Sequence, residues 1–202
     1  KNYVVDWNRE VKINPGSALG TAYEKYLEVF NSDVDMVGGA ALLAQQRKEW
    51  NKALSLFERA ATLRLATDSN YMTEMPSYEK LLLSQIEVGE QSGSDELLSH
   101  SFDNYILKSK ERSKWVEVNY QKAHRLYKKA DYTNAALALH DVALMPGNQS
   151  LEIKTQAADL AMDSLVILKR DGEVETWALE FSKIFKDKAN EYEDLARRSV
   201  LN

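Results

Sequence analysis

A spacing pattern that occurs twice is the feature that most constrains how this chain can fold. The copies are KEWNKALSLFERAATLRL at residues 48–65 and KADYTNAALALHDVALMP at residues 129–146. The shared positions are Trp50, Ala53, Phe57 and Ala60 in the first copy and Tyr132, Ala135, Leu139 and Val142 in the second. Steps of three and four residues put these side chains on one face of a helix. The pattern therefore predicts two helices whose Ala residues let a neighbouring helix approach closely.

A second helical segment precedes each copy. Residues 34–46 and 115–128 carry the small residues Ala41 and Ala123 at points where a close helix crossing would need them. Short turns separate these segments from the two copies. Each unit is therefore interpreted as two antiparallel helices joined by a turn.

The order of residue types resembles the second half of a tetratricopeptide repeat: small, aromatic at the turn, Ala, bulky, small, then Pro. Ala41 and Ala123 fit the first position, and Pro146 ends the second copy one place early. The usual Trp-Leu-Gly start of the first helix is absent, and the turn aromatics lie 82 residues apart, which is not a clean multiple of the repeat. The resemblance implies an all-α fold, a right-handed α-solenoid of antiparallel helix hairpins, forming one domain over residues 1–202.

The composition favours helix and removes several kinds of chemistry. The chain has 202 residues with 8 Gly and 3 Pro, so long helices are rarely interrupted. It has no Cys, which excludes disulfides and thiolate metal sites but fixes no compartment. The net charge of −5 argues against general nucleic-acid binding. No apolar stretch approaches the roughly 18 residues of a membrane-spanning helix. Because the first residue is Lys1, we expect a piece of a longer protein.

We predict nine helices along the chain. They cover residues 17–30, 34–46, 51–66, 77–90, 95–109, 113–129, 132–144, 150–168 and 173–199. Residues 1–16 would form an N-terminal arm packed on the first helix. Residues 67–76 would be a polar loop, with Pro76 at the first position of the next helix. The clearest repeats are residues 34–66 and 115–146, and residues 173–202 would form a capping helix with a solvated outer face.

No catalytic motif is present. The histidines are His100, His124 and His140, and none lies in a metal-binding or nucleophile motif. Asp141 adjoins His140, but neighbours in sequence point to different sides of a helix. We therefore predict no enzymatic activity, no cofactor and no metal site.

One face of the segment 115–128 is the candidate partner-binding site. In the family that the chain resembles, the first helix of each pair lines a concave inner surface. The residues that would face inward are Glu117, Tyr120, His124, Tyr127 and Lys128. Aromatic and cationic side chains are typical of protein interfaces, so this patch could bind a peptide. The alternative is that the two tyrosines simply pack between helices.

Charge is segregated along the chain. Residues 68–103 carry a net charge of −7, and residues 108–129 carry +6. One interpretation is a basic patch for an acidic partner segment. The other, which we favour, is that neighbouring solvated helices offset each other's charge.

The resemblance implies a protein–protein interaction scaffold or adaptor that binds a segment or helix of another protein in its concave groove. Two alternatives stay open at this point. The chain could be a helical accessory domain of a larger enzyme, with the catalytic module elsewhere, or a structural module that self-associates as a homodimer. No small-molecule substrate is indicated, and neither the partner nor the location in the cell follows from the sequence.

Overall fold

The computed structural model describes residues 4, 6, 17–66, 77–111, 114–147 and 150–200. Across these residues the chain is all-helical, without a strand. The helices are α1 (Ser17–Val29), α2 (Val34–Gln46), α3 (Trp50–Ala66), α4 (Tyr78–Ser92), α5 (Asp95–Lys108), α6 (Trp115–Lys128), α7 (Tyr132–Ala143), α8 (Leu151–Ile167), α9 (Asp171–Ile184) and α10 (Ala189–Ser199). A short 3₁₀ turn, Lys186–Lys188, separates α9 from α10.

The chain divides into two compact units, residues 1–110 and 111–202. In the first unit each of the helices α1–α5 packs against the next one in sequence. In the second unit α6–α10 do the same, and α6 also contacts α8. The all-α class is therefore confirmed. The single continuous domain and the solenoid stay predictions.

Most positions that the spacing pattern assigned to helix packing are buried, whereas the turn aromatics Trp50 and Tyr132 are only partly buried. Ala53, Phe57 and Ala60 of α3 are no more than 1 % exposed, and so is Ala41 of the preceding helix. In the second unit the equivalent residues are no more than 2 % exposed; they are Ala123, Ala135, Leu139 and Val142. Small side chains let paired helices approach closely, and the bulky residue fills the remaining space.

Three helix pairs among the described residues share one kind of turn. Lys48, Ala130 and Lys169 each adopt a left-handed backbone with φ between 55° and 60°. In each turn the following amide donates to a carbonyl five residues back, at 2.9 to 3.1 Å. This is the Schellman arrangement, which satisfies carbonyls at the end of the first helix. The turns join α2 to α3, α6 to α7 and α8 to α9.

The third of these pairs was not identified as a repeat from its sequence. Counted from its turn, α9 places Val174, Ala178 and Phe181 where α3 has Ala53, Phe57 and Ala60. The three α9 side chains are no more than 1 % exposed. The packing is therefore equivalent, although Asp171 stands where the other two copies have an aromatic residue.

The prediction for the last helix was wrong in one respect. Instead of one helix over 173–199, the structure has α9 and α10 with a break at Phe185, where φ is −97° and ψ is 80°. Phe185 is 4 % exposed, and its ring lies 5.9 Å from Phe181 and 6.3 Å from Tyr192 between centroids. The break lets one aromatic cluster bury residues from both helices, so residues 173–202 are not a single capping helix.

The helices predicted over 77–90 and 95–109 are confirmed, with shifted ends. Helix α4 continues through Ser92, two residues past its predicted end, and stops where Gly93 adopts φ of 67°. Ser94 then caps α5 by accepting from the Leu97 amide at 3.3 Å. Of the predicted N-terminal arm, Val4 packs against the cluster around Leu19. The rest of the arm, apart from Asp6, and the predicted loop over 67–76 lie outside the described residues.

Candidate functional site

Helix α6 presents an aromatic pair at one end of the candidate site. The rings of Tyr120 and His124 stack with 5.4 Å between centroids and 15° between planes. Both side chains are partly exposed. Burial and, to a lesser extent, the charge of Lys128 hold the His124 pKa below its usual value. Lys128 itself is exposed.

Tyr127 joins α6 to its neighbours in the second unit. Its ring packs edge-on against Tyr132 of α7, with centroids 5.4 Å apart. Burial raises the Tyr127 pKa, and the nearby charge of Asp163 raises it further. Asp163 belongs to α8, which packs on α6, so its charge is near enough to act on the tyrosine.

Asp159, one turn before Asp163, links α8 to the last helix. Its Oδ1 accepts from the Tyr192 hydroxyl at 2.8 Å, and its Oδ2 accepts from the Lys188 Nζ at 2.6 Å. Burial and this bond to Asp159 raise the Tyr192 pKa. The same carboxylate raises the Lys188 pKa, chiefly through the hydrogen bond. Both oxygens of Asp159 therefore have donors.

A groove of about 480 Å³ lies between α8 and α10. Asp159 and Asp163 form part of its α8 side, and Tyr192, Glu191 and Arg198 form part of its α10 side. Partial burial raises the Asp163 pKa, and the charge of Asp159 adds to this. We use the name α6–α8–α10 face for three groups of residues: Tyr120, His124 and Tyr127 of α6, Asp159 and Asp163 of α8, and Tyr192 of α10 with Lys188 from the turn before it.

The structure brings some of the predicted site residues together and separates others. Tyr120 and His124 are in direct contact, and Tyr127 is close to Asp163. Glu117 instead forms an ion pair at 2.8 Å with Lys114, the residue just before α6. Both tyrosines also pack against the core of the second unit, so the two interpretations of these residues are compatible.

The sequence analysis missed the contribution of α8 and α10. The signal available was the pair Asp159 and Asp163, which stand four residues apart in α8. Two acids at that spacing share one helix face. Their position relative to Tyr127 and Tyr192 depends on how the helices pack, which the spacing within one helix does not reveal.

The remaining histidines have structural partners. His140 of α7 stacks on Trp177 of α9 with centroids 4.1 Å apart, and its Nε2 lies 2.9 Å from the Glu180 carboxylate. The exposed His100 lies 2.6 Å from Glu58. Within the described ranges no group of three His, Asp or Glu side chains could hold a metal ion.

A larger groove of about 660 Å³ lies in the first unit. It is lined by the α2–α3 turn and the start of α5, including Glu49, Trp50 and Glu96. Its walls are mostly helix starts and exposed polar side chains. No reactive or unusually placed group converges there, so it is a weaker candidate than the α6–α8–α10 face.

No protein-family model matches this chain, and no curated protein or solved structure matches it either. The resemblance to tetratricopeptide repeats therefore stays a prediction. In the parts of the chain that the structure describes, no helix has both the length and the apolar character needed to cross a membrane.

Proposed function

We propose that this chain is a non-catalytic protein-binding module, a scaffold or adaptor, whose partner lies on the α6–α8–α10 face. The observation that carries the proposal is the packing of α6 on α8, which brings the charge of Asp163 near Tyr127 on the helix that also carries the stacked pair Tyr120 and His124. Tyr120, His124 and Tyr127 supply ring surface, and Asp163 supplies charge. Rigid aromatic rings beside charged groups are the composition that protein interfaces favour.

We further propose that the helix pairs form a right-handed solenoid like that of tetratricopeptide repeats. Three pairs with the same turn support this, because repeated units stack when their geometry is the same. The contact between the alternate helices α6 and α8 also supports it. In such an arrangement α6, α8 and α10 would line the inner surface, where an extended segment of a partner could lie.

The test is capture of a partner from the native lysate, followed by measurement with the purified pair. The face variant carries Tyr120→Ala, His124→Ala and Lys128→Glu. The control variant makes the same numbers of truncations and charge reversals on α7 and α9, with Thr133→Ala, Leu137→Ala and Lys183→Glu. All three control positions are exposed. Circular dichroism establishes that each variant is folded.

We expect the parent and the control variant to bind one protein with the same affinity. We expect the face variant to bind it at least about tenfold more weakly, because central interface side chains each contribute over ~1 kcal/mol. Since Tyr120 also packs on the core, the double variant His124→Ala with Lys128→Glu is measured in parallel. Equal binding by all folded variants would refute the proposed face.

A further inference from the structure

The connection between α9 and α10 is short and close to helical. It consists of the 3₁₀ turn Lys186–Lys188. Phe185, which precedes the turn, has φ of −97° and ψ of 80°, and Lys188 at its end has φ of −113° and ψ of 11°. An α-helix needs φ near about −63° and ψ near about −42°, and a 3₁₀ turn lies close to these values. Rotations centred on Phe185 and Lys188 would therefore join α9 and α10 into one continuous helix.

The local sequence favours that continuous helix. No Pro or Gly lies between Val174 and Ser199, and apolar residues continue at steps of three and four across the break. Sharp bends in helices usually occur at Pro or Gly, or where a side chain inserts into the ladder of backbone hydrogen bonds. The bend at Phe185 is therefore maintained by the contacts that α10 makes when it folds back, and not by the residues of the turn.

Two groups of contacts hold α10 in its folded-back position. Tyr192 of α10 lies in a buried aromatic cluster, with its ring centroid 5.7 Å from that of Phe181 and 6.3 Å from that of Phe185. Asp159 of α8 accepts from the Tyr192 hydroxyl at 2.8 Å and from the Lys188 Nζ at 2.6 Å. These contacts join α10 and the turn before it to α8 and α9, so they lie across the hinge.

We propose that α10 exchanges between two copies of this chain. In the exchanged dimer α9 and α10 form one helix in each copy, and α10 lies on α8 and α9 of the other copy. Contacts that lie across a hinge can be made between chains as well as within one chain, so exchange of an identical element is a low-cost route to dimers. Asp159 of each copy would then accept from Lys188 and Tyr192 of the other.

A second copy is the occupant that fits the surface left by α10. A released α10 would expose Tyr192 and Ala196, which are each 4 % exposed in the structure, together with the Phe181 and Phe185 rings that Tyr192 contacts. Exposed apolar area of this kind is unfavourable in water, so the open form is populated only when an equivalent helix takes the place of α10. The α10 of another copy brings the same ring, hydroxyl and ammonium at the same spacing. Exchange needs no partner protein and is therefore separate from the proposed function.

The first experiment places proline in the hinge. Lys186 is exposed and is the first residue of the 3₁₀ turn, and proline is tolerated at the start of a helical turn. Inside a continuous helix, proline removes a hydrogen bond and clashes with the carbonyl four residues earlier. The parent, Lys186→Pro and the control Lys186→Ala are refolded from urea at increasing protein concentration. Light scattering after size exclusion measures the dimer fraction, and circular dichroism establishes that each variant is folded.

We expect the parent and Lys186→Ala to form dimer at high concentration, and the dimer association constant to fall at least about tenfold in Lys186→Pro. A parent that stays monomeric at every concentration, or a proline variant that dimerises as well as the parent, would overturn the inference.

The second experiment tests whether α10 is the element that is exchanged. One chain carries Asp159→Lys and another carries Lys188→Asp, so each chain has two like charges at its own α8–α10 contact. In a mixed exchanged dimer Lys188 of the first chain meets Asp159 of the second, and the two introduced residues meet with opposite charges. We expect the two chains refolded together to form at least about fivefold more dimer than either alone. The control mixture, Asp141→Lys with Lys183→Asp, reverses exposed charges on α7 and α9 and should show no such gain. Equal amounts of dimer in the mixed and separate samples would rule out exchange of α10.

Discussion

A close approach of two helices in the first unit predicts that Gly89→Ala destabilises the protein, although alanine is the better helix former. Gly89 is a buried residue of α4. A Cβ built there lies 2.7 Å from the Leu98 Cα and 3.1 Å from the Leu98 backbone nitrogen. Ordinary carbon contacts are about 3.5 to 4.0 Å, so the backbone of α5 would have to move.

Two opposing effects determine how much Gly89→Ala changes the free energy of unfolding. Replacing Gly by Ala within a helix stabilises it by about 1 kcal/mol. Overpacking against backbone costs about 1 to 3 kcal/mol. We therefore expect the free energy of unfolding to fall by about 1 kcal/mol, which is about a 2 to 8 °C lower thermal midpoint for domains of this size.

Gly172→Ala is the matched control, because its Cβ would have no neighbour within 4 Å and it lies in the first turn of α9. At this position only the higher helix propensity of alanine acts, so the variant should be slightly more stable than the parent. Urea and thermal denaturation followed by circular dichroism measure both variants. If Gly89→Ala were as stabilising as Gly172→Ala, α4 and α5 would not cross as closely as described.

Three further predictions concern the second unit. Ala130→Gly should stabilise the protein by up to about 1 kcal/mol in urea denaturation, because glycine tolerates the left-handed turn, whereas helical Ala136→Gly should destabilise it. Lys154→Met should lower the free energy of unfolding by about 1 to 3 kcal/mol, because the buried ammonium donates to the Met145 and Gly147 carbonyls. A free energy of unfolding equal to that of the parent within error would contradict this role. Lys128→Gln should raise the His124 pKa in an NMR titration, because a repelling charge is removed. With its pKa lowered in the folded state, His124 binds fewer protons than in the unfolded chain, so stability falls as pH drops through about 6.5 in the parent and less so in the variant.

The helices and their buried faces could be predicted because both depend on local spacing. Steps of three and four residues identified Ala53, Phe57 and Leu139 as packing positions, and all three are buried. The repeat in the third helix pair was missed, although both of its helices were predicted, because its turn begins α9 with Asp171 instead of an aromatic residue. Its backbone is nevertheless the same, since turn geometry is tolerant of side-chain identity when the amide bonds are kept.

The break at Phe185 had no local signal. No Pro or Gly lies between Val174 and Ser199, and the helical spacing of apolar residues continues across the break. The chain turns there because Phe185 and Tyr192 join one buried cluster with Phe181. Tertiary packing of this kind overrides helix propensity.

In the candidate site, too, some features follow from local spacing and others depend on helix packing. The stacking of Tyr120 on His124 follows from their spacing of four residues on α6. The proximity of Asp163 to Tyr127 follows from the packing of α6 on α8, 36 positions further along the chain. Local spacing therefore identified the aromatic residues of α6 and could not predict how they lie relative to the acids of α8.

The pairing of each helix with its neighbour in sequence has a consequence for how the protein is made. Contacts between adjacent helices join residues that are close along the chain, so little loop-closure entropy opposes their formation. Proteins rich in such local contacts fold quickly. During synthesis α2 and α3 can pack as soon as both have left the ribosome, before the second unit has been translated, and the apolar faces of early helices are covered within a few tens of residues.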